Sequence, residues 1–210
     1  MLVGDAAAWA NRFINFDERF LERIVEVWPA CVAALPGQPE EDAITINLVH
    51  HLGKDSVVRR LCHWVEYQYE PFGLAPDGSH HSKGRIDMAV LFDRERERYL
   101  AYECKRLNVV NGGGRSSLAT AYVTQGMMRF ITEQYSEDLP IGCMLGYVMD
   151  GHLAFAQSRV HAAIAAHAPL MVQAGPDDLE PILAVPRTRS LHIRTGGAPI
   201  EVRHAFLSFA

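Results

Sequence analysis

Apolar residues recur along this chain with two different periods, and the points where one period gives way to the other divide it into elements. Over residues 16 to 35, Phe16, Phe20, Ile24, Val27 and Trp28 fall at three- and four-residue spacing, which predicts an amphipathic helix that Pro29 kinks or breaks. Pro36 to Pro39 end that region. A second helix is expected from about 40 to 52, with Glu40, Glu41 and Asp42 in its first turn, where acids suit the helix dipole, and Ile44, Leu48, Val49 and Leu52 as its apolar stripe. Gly53 is its expected C-cap, and Asp55 the cap of a short helix over Val57 to Leu61. His63 to Phe72 alternates and reads as a strand. The stretch Leu74 to Lys83, with the turn signal Pro76-Asp77-Gly78 and the polar run Ser79 to Lys83, reads as a loop.

Two apolar runs follow, 85–92 and 98–106, joined by the charged residues Arg94 to Glu97, and together they predict a β-hairpin. Asn111 to Gly114 reads as a flexible loop, after which Ser116 or Ser117 would cap a long helix over about 117–135. Ile141 to Met149 is almost wholly apolar, as a buried strand would be. An Ala-rich helix is expected over 153–166. The Pro- and Gly-punctuated remainder reads as looped and strand-like, closing in a hairpin, Ser190 to Arg194 and Ile200 to Phe209, around Gly196-Gly197.

Composition narrows the class. A chain of 210 residues, 49% hydrophobic and 21% charged, suits one folded domain rather than a disordered or fibrous protein. With a net charge of -5, a general polyanion binder is disfavoured, so any nucleic-acid contact needs a local basic patch. Cys31, Cys62, Cys104 and Cys143 are scattered without a CxxC pair, which signals neither a zinc ribbon nor a disulfide framework. No apolar run has the length of a membrane span and the first residues lack a signal-peptide pattern, so the expectation is a cytoplasmic protein without a membrane partner.

The hairpin is where the chemistry concentrates. Glu103 and Lys105 stand two residues apart in an apolar strand, where charge needs a reason, and alternation sends both to one face. A hairpin symmetric about Glu95 puts Asp87 directly across from Glu103, with Cβ atoms about 5 Å apart. Two carboxylates and an ammonium on one face suit a divalent cation, Mg²⁺ or Mn²⁺, beside a phosphate. A structural alternative is open: Lys105 neutralises Glu103 on a half-exposed sheet.

Asp87 followed by Glu103-Cys104-Lys105 in the next strand resembles the PD-(D/E)xK nuclease superfamily. That resemblance implies an α/β fold with a restriction-endonuclease-like core of helix, three-strand meander, helix and strand. It covers residues 40–150, with 1–38 an N-terminal helical addition and 151–210 a C-terminal helix and strand extension. It implies a metal held by Asp87, Glu103 and the backbone carbonyl of Cys104, with Lys105 as the catalytic lysine. A further acid from the first core helix maps best to Glu41, with Glu40 and Glu66 as competitors, and a glutamine on the later helix maps to Gln125. Ile86 stands where the family's proline often does.

The implied activity is metal-dependent hydrolysis of phosphodiester bonds, DNA ahead of RNA, of the kind that serves restriction, defence or repair. Lys83, Arg85, Arg115 and Arg129 are the candidate nucleic-acid contacts. The rival is a non-catalytic subunit of the same fold that binds nucleic acid or a partner protein. A homodimer or a place in a larger complex is open in either case.

Overall fold

In the computed structural model, residues 6–96, 98–136 and 139–210 are described, with side chains from residue 11 onward. Helix α1 (Ala6–Ala33) is unbroken at Pro29. The expected break is corrected because tertiary contacts on both sides of Pro29 hold the helix: Trp28 stacks on Tyr147 with centroids 5.4 Å apart, and Cys31 is buried. Residues 1–5 of the expected N-terminal addition lie outside the described residues.

Helix α2 (Glu41–Lys54) begins where the acids predicted and buries Ile44, Thr45, Leu48 and Leu52. Gly53 is not its cap. The helix runs one residue further and ends at Asp55 in extended conformation, whose Oδ1 accepts from the backbone N–H groups of Val57 (2.7 Å) and Val58 (2.9 Å) and so starts α3 (Val58–Leu61).

Strand β1 (Trp64–Tyr69) follows, and then a small two-stranded hairpin, β2 (Phe72–Leu74) and β3 (His80–Ser82), where the sequence suggested only a strand end and a polar loop. Strands β4 (Ile86–Leu91) and β5 (Tyr99–Leu107) pair antiparallel with Met88 opposite Tyr102 and Leu91 opposite Tyr99. These pairs have the symmetry about Glu95 expected from the sequence; the paired register ends at Met88 and Tyr102, and the next residue, Asp87, is tied to β5 through its side chain, Oδ2 accepting from the N–H of Cys104. Beyond β5, the glycine-rich stretch forms a hairpin of β6 (Val109–Asn111) and β7 (Gly114–Ser116) instead of an open loop.

The expected long helix is shorter and irregular. An α turn, α4 (Ala119–Ala121), leads into a π-helical segment (Tyr122–Met127) and then α5 (Met128–Ile131). Neither serine caps it; the N-cap is Leu118 in a left-handed conformation, φ 53°. Strand β8 (Ile141–Val148) and helix α6 (Leu153–Ala166) match their expected positions. Three strands close the chain: β9 (Val172–Ile182), β10 (Val185–Ile193) and β11 (Pro199–Ser208).

These strands form one mixed seven-stranded sheet in the order β1-β4-β5-β8-β11-β10-β9, parallel only at β5/β8 and β8/β11. Strand β9 was missed because it is an edge strand with register shifts, carrying Gly175, Pro176, Asp177, Asp178 and Pro181, so it lacks apolar alternation. The C-terminal strands are therefore part of the main sheet, β11 pairing along the whole of β8.

Helices α1, α2 and α3 cover one face of the sheet with Met88, Val90, Leu100, Tyr102 and Cys104 beneath them. The helical segment 119–131 and α6 cover the other, over Ala89, Leu91, Ala101 and Met144. Alternation then places Asp87, Glu103 and Lys105 on this second face. Among the described residues no helix is long and apolar enough to cross a membrane.

Candidate active site

A polar cleft of about 690 Å³ opens where the N-terminus of α2, the strands β4 and β5 and the helical segment 119–131 meet. Lys105 lies at its centre. Its Nζ donates to the carbonyl of Cys104 at 2.7 Å, to Glu41 Oε1 at 2.8 Å and to Asp87 Oδ2 at 3.3 Å, and stands 3.0 Å from Glu103 Oε1. Four oxygens from three elements thus surround one ammonium.

Each donor is held by its own backbone setting. Asp87 Oδ2 also accepts from the N–H of Cys104 at 2.8 Å, which fastens β4 to β5 through a side chain. Glu41 sits in the first turn of α2, and its Oε2 accepts from the N–H of Arg106 at 2.9 Å. Gly126, in the π-helical segment, lets that segment lie directly on β5: a Cβ there would stand 3.5 Å from Glu103 Cγ and from Lys105 Cγ, and 2.7 Å from Met144 Cε. π-helical turns recur at functional sites because they re-aim side chains within a helix.

Glu103 is fully buried, and neither carboxylate oxygen has a geometrically sound hydrogen bond, although Lys105 Nζ and Arg129 Nη1 both lie 3.0 Å from Oε1. Burial, reinforced by the charge of Asp87, pushes its carboxyl up to about 8 against the pull of both cations. Burial opposes the charge of Lys105 too, but Glu103, Asp87 and Glu41 outweigh it and hold its proton more tightly than usual. The ammonium therefore stays charged, and Glu103 is the group whose proton is in play.

Arg129 is fixed from the other side. It donates to Tyr135 OH at 2.7 Å and to the carbonyl of Arg85 at 3.2 Å, while Tyr135 OH donates to the same carbonyl. Arg85 itself lines the cleft and donates to Gln68 Oε1 at 3.2 Å.

The structure thus brings Glu41, Asp87, Glu103, Lys105 and Arg129 together, with Gln125 exposed on the cleft wall. Of the competing acids, Glu40 lines the outer cleft and pairs with Arg106, and Glu66, on β1, pairs with Arg96 of the β4–β5 turn; neither is among the partners of Lys105. Arg115 stands on β7, where Asp150 holds its Nε at 2.5 Å and Phe155 lies under its guanidinium, and it is not among the residues that line the cleft. Lys83 lines a neighbouring depression instead.

Sequence reasoning missed Tyr135, Arg106 and Gln68. Tyr135 and Gln68 carried no local signal, because only tertiary folding brings β1 and the end of the helical segment to the cleft. Arg106, adjacent to Lys105, could have been found by asking which backbone N–H the Glu41 carboxylate would need.

Among the described residues no group of three or more His, Cys, Asp or Glu side chains is spaced to hold a metal ion as it stands. What the three carboxylates surround is the Lys105 ammonium. The donor set nevertheless fits a hard divalent cation in kind: carboxylates and one backbone carbonyl, all oxygen, with Glu103 buried and lacking hydrogen bonds. Comparisons with protein-family models, curated proteins and solved structures found no match.

Proposed function

We propose that this protein is a divalent-metal-dependent phosphodiester hydrolase acting on nucleic acid, DNA ahead of RNA, with a restriction-endonuclease-like core over residues 40–150. One observation carries the reading: four oxygens, from Glu41, Asp87, Glu103 and the Cys104 carbonyl, converge on a single cation position that Lys105 Nζ fills. Burying Glu103 without hydrogen bonds costs stability and gains nothing in a purely structural ion pair, since a sheet-face salt bridge forms more cheaply in water. The element order α2, β1, β4, β5, helical segment and β8 supports the same family reading.

Glu41, Asp87, Glu103 and the Cys104 carbonyl would hold Mg²⁺ or Mn²⁺. Such an ion polarises a phosphate and acidifies a bound water. The chain's own residues supply the rest. Lys105, held charged by three carboxylates, stabilises negative charge building on a phosphate oxygen once it turns from them. Arg129 helps orient Glu103 by holding Oε1, the same oxygen that Lys105 approaches. Arg85, along the cleft wall, is placed for a neighbouring phosphate, and Gln125 for the attacked group.

The purified protein is expected to cut plasmid or oligonucleotide DNA with Mg²⁺ or Mn²⁺ and not in chelator. Asp87→Ala and Glu103→Ala are expected to lower the rate by at least about a hundredfold. Full cleavage by either folded variant, or no Mn²⁺ binding by calorimetry in the wild type, would overturn the assignment.

A further inference from the structure

Resting on the reading above, we infer that the β2–β3 hairpin is a clamp for one unpaired nucleobase, which directs the cleft toward single-stranded DNA or frayed ends. Phe72 is 71% and Leu74 68% exposed, the two highest values among large hydrophobic side chains of the described residues. They occupy alternate positions of β2, so both project from the same face of the hairpin, about 6.6 Å apart. That is close to twice the roughly 3.4 Å interval of stacked bases, so one base fits between the Phe72 ring and the Leu74 side chain.

The hairpin is tied at both ends. At its base the N–H of Lys83 donates to the carbonyl of Pro71 at 2.9 Å, and Ser82 Oγ donates to Glu70 at 2.5 Å. At its tip Ala75 N–H donates to Ser79 O at 2.8 Å, and Asp77 Oδ1 accepts from Ser79 N–H at 2.9 Å. Two apolar side chains are thus displayed on a braced support.

What covers them follows from size, charge and place. A stable protein interface needs about 800 Å² from each partner, far more than two side chains offer, whereas apolar wedges of this size stack on or part single base steps. Lys83 and Arg85 follow directly in the chain, and Asp87 lies two residues beyond Arg85. Leu74 itself lines, with His81, Ser82 and Lys83, a depression of about 600 Å³ that also holds Glu133 and shares Gln134 with the catalytic cleft. A strand whose base is held at Phe72 therefore passes cations on its way to Lys105.

The test uses the full chain in EDTA, with a fluorescein-labelled single strand and a hairpin duplex of the same sequence, read by anisotropy. Phe72→Ala is expected to weaken single-strand binding by roughly five- to hundredfold, the range for losing one stacked base, with duplex binding changed less than twofold and Phe72→Tyr retaining the wild-type affinity. In Phe72→Trp, indole emission is expected to fall when the single strand is added. Unchanged single-strand affinity in Phe72→Ala, equal losses on both ligands, or a self-association that Phe72→Ala dissolves would each overturn the clamp. If wild type cleaves with Mn²⁺ while any of these holds, the clamp falls and the nuclease reading stands; if wild type neither binds nor cleaves either ligand, both fall.

Discussion

Glu103 and Lys105 illustrate how two neighbouring charges in one strand come to depend on each other. Under the proposed function Lys105 fills the position the divalent cation would take, so the two would compete for the same oxygens. Lys105→Ala is expected to bind Mn²⁺ at least about tenfold more tightly by calorimetry, since a unit charge a few ångströms away is worth several kcal/mol at protein-like dielectric, while losing cleavage. A structural role for the lysine predicts the reverse, weaker binding through a disordered site. Glu103, raised to about 8, must lose its proton to ligate. Mn²⁺ affinity is therefore expected to climb by up to about tenfold per pH unit from pH 6 toward 8 and to level above it, with proton release visible as a buffer-dependent binding enthalpy. The pair itself was legible, because a charge in an apolar strand is conspicuous and alternation fixes its face. The hairpin register from Met88 to Leu91 was legible as well, since symmetry about Glu95 leaves one choice. That Glu41, rather than Glu40 or Glu66, reaches Lys105 was not, because it depends on how α2 sits against the end of β5.

At the scale of elements, the helical segment 119–131 departs most from its sequence pattern. Apolar spacing predicted a regular helix, yet contact with the sheet imposes the π-helical turn. Two glycines permit that contact, Gly126 within the segment and Gly142 beneath it on β8, where a Cβ would meet the Phe130 ring at 2.5 Å. The ring is buried and cannot swing clear, so Gly142→Ala is expected to lower unfolding stability by about 1–3 kcal/mol in a urea titration, with Mn²⁺ affinity reduced through displacement of Arg129 on the same turn. Strand β9 and the β2–β3 hairpin escaped the sequence pattern for a related reason. Strands with little burial need no alternating apolar code.

Across the whole molecule, the first helix and the last strand are joined by buried charge. Arg203 on β11 donates to Asp17 at 2.8 Å and to Glu18 at 3.2 Å, and Tyr102 OH donates to Asp17 at 2.8 Å. Asp17→Ala leaves Arg203 buried without its main partner and is expected to cost about 3–5 kcal/mol by chemical denaturation. On the other face Tyr122 OH, His204, Ser190 and His192 form a buried chain linking the π-helical segment to β10 and β11. Burial, with His192 and His161 nearby, pushes His204 down to about 3, so the folded state refuses a proton that the unfolded chain accepts below about 6.5. Its contribution to stability is complete above 6.5 and is lost as pH falls toward 3. Replacing His204 with Gln is expected to flatten the acid limb of the stability profile by up to about 1.4 kcal/mol per pH unit, measured by urea unfolding between pH 6.5 and 4.

The sequence alone determined the order of most helices and strands, the hairpin register and the face shared by Asp87, Glu103 and Lys105. Those features follow from local periodicity and from pairing between neighbours in the chain. Only the tertiary structure decided that Glu41 and Arg129 complete the cleft, that Arg115 stands outside it, and that the C-terminal strands extend the main sheet beside β8. Contacts between residues far apart in sequence depend on how whole layers pack, and no local pattern encodes that packing.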